Sequence, residues 1–393
     1  MVRRSEWVSE EGASRLLRLA PPVIAAYAGR GYIRSNGHDR PAAERRYLRA
    51  DVLSLRDRAG ADEESARWDL PSIESGTTRI ASGRLFYRGH DVCELTAERS
   101  LDEVASLLWT GSFESEIGDT PLHAIAGGAA GDDLPFISKA QAVLPMVSAR
   151  DSLALNLEPL AVAQSGWRIL NLLASVAADS SDLAPAIEET LAGVWSRDNG
   201  PSLKKGKGPV LAEFLRVALI LCADDDLDAS SIAARCIASA GANPYSVVLA
   251  GLAAMGGPRS GAAIGRVASL FDELADVRDR KKALVRRFDR GEGLEGFGHP
   301  LFPAGDPRAA LLLEMLPASR ETAAARRIEA AAAAVAGVKP NLEFALVVLE
   351  RAMRLPGGSA LIILAIGRTI GWIAHAIEQY GTGCVIRPRL AST

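Results

Sequence analysis

Apolar positions along this chain recur at the three-to-four-residue spacing of helices. Runs of this kind cover residues 100–111, 139–148, 159–178, 184–196, 209–222 and 228–255. Others follow at 262–277, 279–289, 307–316, 320–336, 341–354 and 359–379. Each run predicts a helix. No stretch alternates apolar and polar positions for long, so no large sheet is expected. Residues 79–88, RIASGRLFYR, predict one small hairpin that turns at Ser82 and Gly83. Residues 358–379, GSALIILAIGRTIGWIAHAIEQ, are long and apolar enough to mimic a membrane span. Arg368 near the centre and His375 two turns later make lipid a costly surrounding. A helix buried inside a large protein accounts for them better, with no membrane involved. The expected fold class is mainly α.

The first sixty residues follow a different rhythm. VSEEGASRLLRL predicts a helix capped by Ser9, with Ala13, Leu16 and Leu17 recurring at helical spacing. APPVIAAYAGRGYIRS predicts a turn and a short helix begun by its prolines and stopped at Gly29 and Gly31. NGHDRPAAERRYL reads as a hairpin or wing, and RADVLSLRDRAG as a helix ended by Gly60. Twelve arginines, no lysine and seven acids give this segment about +5 of charge. Helix, turn, helix, basic wing and helix resemble the winged helix-turn-helix of the MerR and excisionase type. That resemblance covers residues 1–60 and implies DNA contact through Arg30, Arg34, Arg40, Arg45 and Arg46. A degenerate module that serves assembly fits the same residues, as does plain solvated surface. Residues 61–72, acidic and then broken by Pro71, read as a linker into the body.

Composition narrows the class. A chain of 393 residues with 48% hydrophobic and 24% charged positions is an ordinary globular protein with room for a sizeable core. Its net charge of −3 argues against a protein that coats nucleic acid along its length. Cys93, Cys222, Cys236 and Cys384 are far apart, without the spacing of a zinc site or a disulfide framework, and fit a reducing cytoplasm. MVRRSEWVSEEG has no apolar core, so no signal peptide is expected. The Gly/Lys stretch 196–209 is read as a solvated connection, because no strand precedes it as in a phosphate loop.

The stretch LEGFGHPLFPAGDPRAALLLEML, residues 294–316, places His299 among Gly296, Gly298, Pro300 and Pro303. Glycines and prolines make this an ordered loop rather than the interior of an element. Asp306, Pro307 and Arg308 then open a helix, with the aspartate as cap and the proline at the first helical position. Functional side chains gather on such loops, although a histidine bonded to a neighbouring carbonyl fits equally well.

Several segments together resemble citrate synthase. GFGHPLFPAGDPRA is similar to that family's histidine loop and Asp-Pro-Arg-Ala helix start. KPNLEFALVVLERAMRLP resembles its Pro-Asn-x-Asp-Phe segment. LAIGRTIGWIAHAIEQYGTGCVIRPRL resembles its Gly-Arg-Thr-x-Gly-Trp-x-x-His helix and Arg-Pro-Arg tail. GRLFYRGHDVCELTAERSLDEVASLLWTG and DLDASSIAARCIASAGANPYSVVLAGLAAMGGPRSG extend the likeness upstream, from about residue 73 onward. The resemblance implies an all-helical fold of two domains, the larger from residues 73–259 and 351–393 and the smaller from 260–350. It implies an active site in the cleft between them and a homodimer that closes over its substrates. The implied reaction is an acyl transfer of the tricarboxylic acid cycle type. An acyl-CoA, acetyl-CoA first, condenses with a 2-oxo acid such as oxaloacetate and releases CoA, without metal or further cofactor.

Such chemistry needs a carboxylate to take a proton from the acyl methyl, donors for the enolate oxygen, and arginines for the acid's carboxylates. The resemblance implies Glu343 as the base and His299 as the group that polarises and protonates the oxo carbonyl. It implies Arg308, Arg368 and Arg387 as carboxylate ligands, the last reaching a partner subunit. His375, seven residues after Arg368, is expected to support the core. Four positions depart from the family. Glu343 stands for an aspartate, and one added methylene moves a carboxylate by ~1.5 Å, enough to cost about 10²-fold. Ser260 stands for the histidine that steadies the enolate, and neighbouring Arg259 is a candidate donor in its stead. Asp225 stands for a histidine that binds the oxo acid, where a carboxylate would repel a dianion. Pro303 stands where the family often has a basic residue for CoA phosphates. These changes imply reduced or altered activity. A different class remains open: a carboxylate-sensing DNA-binding regulator with a degenerate citrate synthase body.

Overall fold

The computed structural model describes residues 6–37, 44–60, 75–114, 134–181, 183–198 and 208–387. The linker expected at 61–72 lies outside them, as do Arg40 of the expected wing and most of the Gly/Lys stretch. The chain opens with β1 (Trp7–Ser9), α1 (Glu10–Leu17), α2 (Pro21–Gly29), β2 (Arg46–Leu48) and α3 (Arg49–Gly60). Next come β3 (Thr78–Ala81), β4 (Arg84–Tyr87), β5 (His90–Asp91), α4 (Val92–Glu98), α5 (Leu101–Thr110) and α6 (Phe136–Ser148). Then follow α7 (Pro159–Ala178), α8 (Ile187–Asp198), α9 (Gly208–Cys222), α10 (Ala229–Ser239) and α11 (Pro244–Met255). The last are α12 (Ala263–Ala275), α13 (Arg280–Asp289), α14 (Pro307–Met315), α15 (Arg320–Ala336), α16 (Leu342–Ala352) and α17 (Ser359–Thr382).

Helix starts follow local chemistry. Ser9 accepts from the Gly12 amide, Asp306 from the Arg308 amide, and Ser100 and Glu103 form a reciprocal cap on α5. The hairpin at residues 79–88 forms as β3 and β4, and Ser82 and Gly83 turn it with positive φ of 51° and 73°. The apolar run 228–255 is two helices rather than one. Gly241 at φ 74° ends α10, and Asn243 with Pro244 caps and starts α11.

The chain forms two compact units. The first comprises Met1–Ser72, Ile80–Arg84 and Ala262–Ala352. The N-terminal elements therefore group with the helices after residue 262 instead of standing alone. Within this unit β1 and β2 pair antiparallel, Trp7 opposite Leu48, and α1 packs on α2 and α3. Helices α12 and α14 pack on α16, and α13 on α15, around a buried aromatic cluster. Phe344 lies 4.7 Å from Phe297 and 6.1 Å from Phe271, ring centre to ring centre.

The second unit comprises Ile73–Arg79, Leu85–Gly261 and Met353–Thr393. Helix α17 runs through its core, packed by α5, α7, α9, α10 and α11. In its most apolar window 83% of residues are buried, so its hydrophobicity serves the core of the protein. Trp109 donates its indole N–H to the Ile370 carbonyl, and Trp372 to Ser230 Oγ at 3.1 Å. Gly371 lets α17 approach the end of α9 closely. A Cβ there would strike the Ala223 carbonyl.

Candidate active site

Two chain segments meet around His299 in the first unit. The Gly298 amide donates to the Lys339 carbonyl at 2.8 Å, and the Asn341 amide to the Gly296 carbonyl at 2.9 Å. This two-rung bridge holds the histidine loop against the start of α16. Gly296 and Gly298 take positive φ of 83° and 72°, which keeps the crossing tight. His299 is nearly buried, and its Nδ1 accepts from the Leu301 amide at 3.3 Å. In the neutral ring that bond assigns the proton to Nε2. A small cavity of about 90 Å³ lies at the histidine, walled by Phe302 and Lys339 and by Tyr27 and Leu17 of the N-terminal segment.

Glu343 sits in the first turn of α16, just after Asn341 and Leu342. Asn341 caps this helix through Oδ1, which accepts from the Phe344 amide at 3.2 Å. Its Nδ2 donates to Glu343 Oε2 at 3.2 Å and to the Gly298 carbonyl at 3.4 Å. One side chain thus ties the glutamate to the histidine loop. A second donor comes from the C-cap of α2: Arg30 Nη2 reaches the same Oε2 at 2.5 Å, and Arg30 Nε lies 3.6 Å from Glu295. Burial by itself would lower the pKa of the Arg30 guanidinium. The Glu343, Tyr32 and Glu295 charges outweigh burial and raise it above its ordinary value.

Most of the arginines read as a DNA contact have partners within the protein. Arg30 is buried on two carboxylates, and buried Arg45 has Nη2 3.5 Å from the Gly291 carbonyl. Arg34 forms a two-pronged pair with Asp51 at 2.8 and 2.9 Å. Arg46 turns to its neighbour's backbone, Nη1 donating to the Arg45 carbonyl.

Arg308 is turned inward as well. Its amide, Nε and Nη2 all donate to Asp306, at 3.0, 2.9 and 2.9 Å, and its side chain is 1% exposed. Asp306 also accepts from the Leu342 amide at 3.1 Å, so this pair joins the starts of α14 and α16. The arginine lies against the Phe302 ring. Through Asp306, Arg308 braces the start of α14 against the start of α16.

The second unit holds a buried charge network at the end of α9 and along α17. Asp224 accepts from Thr78 Oγ1 and lies 3.1 Å from His375 Nε2. His375 Nδ1 faces Arg235 Nη1 at 3.4 Å and Glu378 at 3.9 Å, and Arg235 pairs with Glu378 at 3.0 Å. Burial alone would lower the His375 pKa, but the Asp224 carboxylate, with help from Glu378, raises it to about 9. Burial likewise pulls Glu378 upward, and its bonds to His375, Ser75 and Thr77 hold it at about 2. Asp224 is pulled below its usual value, because His375 and Arg368 outweigh its burial.

Arg368 is 4% exposed and lies 3.9 Å from Asp224 Oδ1 and 3.8 Å from Asp225 Oδ2. Asp225 is therefore the half-buried neighbour of the arginine. Ser260 and Arg259 occupy the turn after α11, where the Ser260 amide donates to the Gly257 carbonyl at 3.0 Å. The serine is half-buried and Arg259 is exposed. Arg387 is exposed on the tail beyond α17. Among the described residues no His, Cys, Asp or Glu cluster could hold a metal ion. Sequence reasoning missed Arg30, Asn341 and Asp224. Asn341 carried a legible signal in its N-cap position, whereas the contact of Arg30 spans 313 residues and left none.

This arrangement coincides with a family match. Residues 66–389 match the model of the citrate synthase C-terminal domain. The chain belongs to the citrate synthase family. A putative citrate synthase 2 from Mycobacterium tuberculosis is 30% identical over 345 residues, covering 81% of this chain and 90% of that protein. Citrate synthase 2 of Bacillus subtilis is 26% identical over 340 residues, covering 80% and 91%. The fold is also that of the Thermotoga maritima citrate synthase, at TM-score 0.65 and 23% identity over 84% of this chain and 96% of that one. The Thermoplasma acidophilum enzyme, solved as a ternary complex with carboxymethyl coenzyme A and oxaloacetate, superposes at TM-score 0.66 with 20% identity, covering 83% and 94%. The citrate synthase match begins after α3, so Arg30 comes from a segment ahead of it.

Proposed function

We propose that this chain condenses an acyl-CoA, acetyl-CoA first, with a 2-oxo acid of the oxaloacetate class and releases free CoA. One observation carries the reading: in a chain of this family, Asn341 ties Glu343 to the histidine loop. Glu343 is the base that takes a proton from the acyl methyl. His299, with Nδ1 engaged by the Leu301 amide, offers its Nε2–H to the carbonyl of the oxo acid. The enolate carbon attacks that carbonyl, His299 gives up its proton to the new alkoxide, and water then cleaves the thioester. Ser260, with Arg259 beside it, supplies the enolate-side donor. Arg368 and Arg387 bind carboxylates, and Arg308 contributes by bracing the loop.

The aspartates beside Arg368 bear on the choice of acid. A dianion bound there would face Asp225 as well as the guanidinium, and like charges oppose. This favours an oxo acid of lower charge, or one whose binding turns Asp225 away. The experiment is a thiol-release assay with acetyl-CoA and propionyl-CoA against oxaloacetate and monocarboxylic 2-oxo acids. Turnover with at least one pair supports the proposal, and no release with any pair overturns it. The homodimer is part of the same proposal, with the tail bearing Arg387 reaching the second copy. The helix-turn-helix likeness of residues 1–60 is read as a docking module, because its arginines engage the first unit itself.

A further inference from the structure

The N-terminal segment precedes the citrate synthase match, yet it delivers a charged side chain to the candidate base. Arg30 is 8% exposed at its side chain and Glu343 22%, so this ion pair is largely withdrawn from water. Both donors to the glutamate, Arg30 Nη2 and Asn341 Nδ2, land on Oε2. Among the described residues no bond is made to Oε1, which is left as the oxygen to meet a C–H. Glu343 is also one methylene longer than the aspartate of the family, and a longer side chain has more rotamers to lose. A guanidinium and an amide on one oxygen remove that freedom.

Resting on the reading of Glu343 as base, we infer that Arg30 is a positioning residue for catalysis: it holds the Glu343 carboxylate by Oε2 and leaves Oε1 to meet the substrate. Residues 1–60 are then a working part of the site. The groups facing the pair agree with this. Glu295, on the loop after α13, approaches Arg30 Nε and is itself met by Arg266 of α12 at 3.2 Å. Tyr32, just beyond α2, lies within electrostatic reach of Arg30. Tyr27 of α2 lines the cavity at His299, so the helix that Arg30 caps also walls the histidine. The cation is central and the acids flank it. Removing it takes away a cation that lies 2.5 Å from the Glu343 carboxylate, and the loss of an opposite charge favours the protonated carboxyl.

The test compares the full-length protein with Arg30→Gln, Arg30→Lys and Glu343→Gln. The acid limb of the kcat/KM profile for acetyl-CoA is expected to move up by about one pH unit in Arg30→Gln. At pH below that limb its rate then falls about tenfold more than on the plateau. On the plateau kcat falls about tenfold through lost positioning, while KM for the oxo acid holds. Arg30→Lys recovers most of the profile, and it carries the test should Arg30→Gln fail to fold. An unmoved acid limb would assign Arg30 a structural role alone and overturn the inference, as would a rise in kcat. Titration of the Glu343 carboxyl by 13C NMR, assigned through Glu343→Gln, needs no turnover. A raised value in Arg30→Gln supports the inference even if the condensation reading fails, and an unchanged value overturns it. Full activity in Glu343→Gln would instead overturn the reading of Glu343 as base.

Discussion

Single residues decide how this site handles charge. Asp225 beside Arg368 is the clearest case. Asp225→Asn should lower KM for oxaloacetate several-fold and leave KM for a monocarboxylic oxo acid nearly unchanged, which steady-state kinetics with both acids will show. His375 gives a second expectation. Its folded pKa of about 9 lies above the ordinary 6.5. The pair with Asp224 therefore stabilises the fold fully below about pH 6.5, and that contribution is lost as pH rises through about 9. Urea denaturation of the native chain should show stability falling across this window, and His375→Gln should flatten the fall. Glu378 has the opposite sign: held at about 2, it contributes above about pH 4.5 and is lost as pH falls through 2. At this scale the sequence was legible where a charge sat in an apolar run. Arg368 and His375 amid ALIILAIGRTIGWIAHAI spoke against lipid, and in the buried helix acidic side chains stand beside both. Arg30 was not legible: an arginine at the end of a short helix looks the same whether it faces phosphate, solvent or a glutamate 313 residues away.

Elements were read most securely where period and caps agreed. Helices α13 to α17 follow the apolar periodicity of their segments closely, because each begins or ends at a residue that favours such a boundary: Asp279, Asp306, Ser319, Asn341 and Gly383. The run 228–255 was misjudged because the apolar pattern continues through Gly241, Asn243 and Pro244, and periodicity alone outweighed the break they signal. Helix α17 is where element packing and site chemistry meet. Gly371 brings it against the end of α9, and that approach sets Asp224 beside His375 and Arg368. Gly371→Ala should push the two helices apart and cost about 2 kcal/mol or more by overpacking a tight contact. Thermal denaturation will measure the loss, and the pH dependence due to His375 should weaken with it. A variant as stable as the native chain would contradict the close approach.

For the whole molecule, the citrate synthase body was legible because its motifs are spread through the chain in the family's order. The N-terminal segment was legible as a set of elements, but its partner surface was not, since surface charge in a sequence does not say which way it points. Residues 1–72 group with the helices that carry His299 and Glu343. Deleting residues 1–60 should therefore destabilise those helices and abolish turnover, whereas an independent DNA reader could be removed with little effect on either. Sedimentation velocity of the intact protein should show a dimer, and Arg387→Ala should lower kcat/KM for the oxo acid without dissociating it. The most direct test of the central claim is free thiol release from acetyl-CoA with an oxo acid, comparing the native chain with Glu343→Gln. Turnover by the native chain and a loss of at least about a hundredfold in the amide variant is the expected result. Equal rates in the two would contradict it.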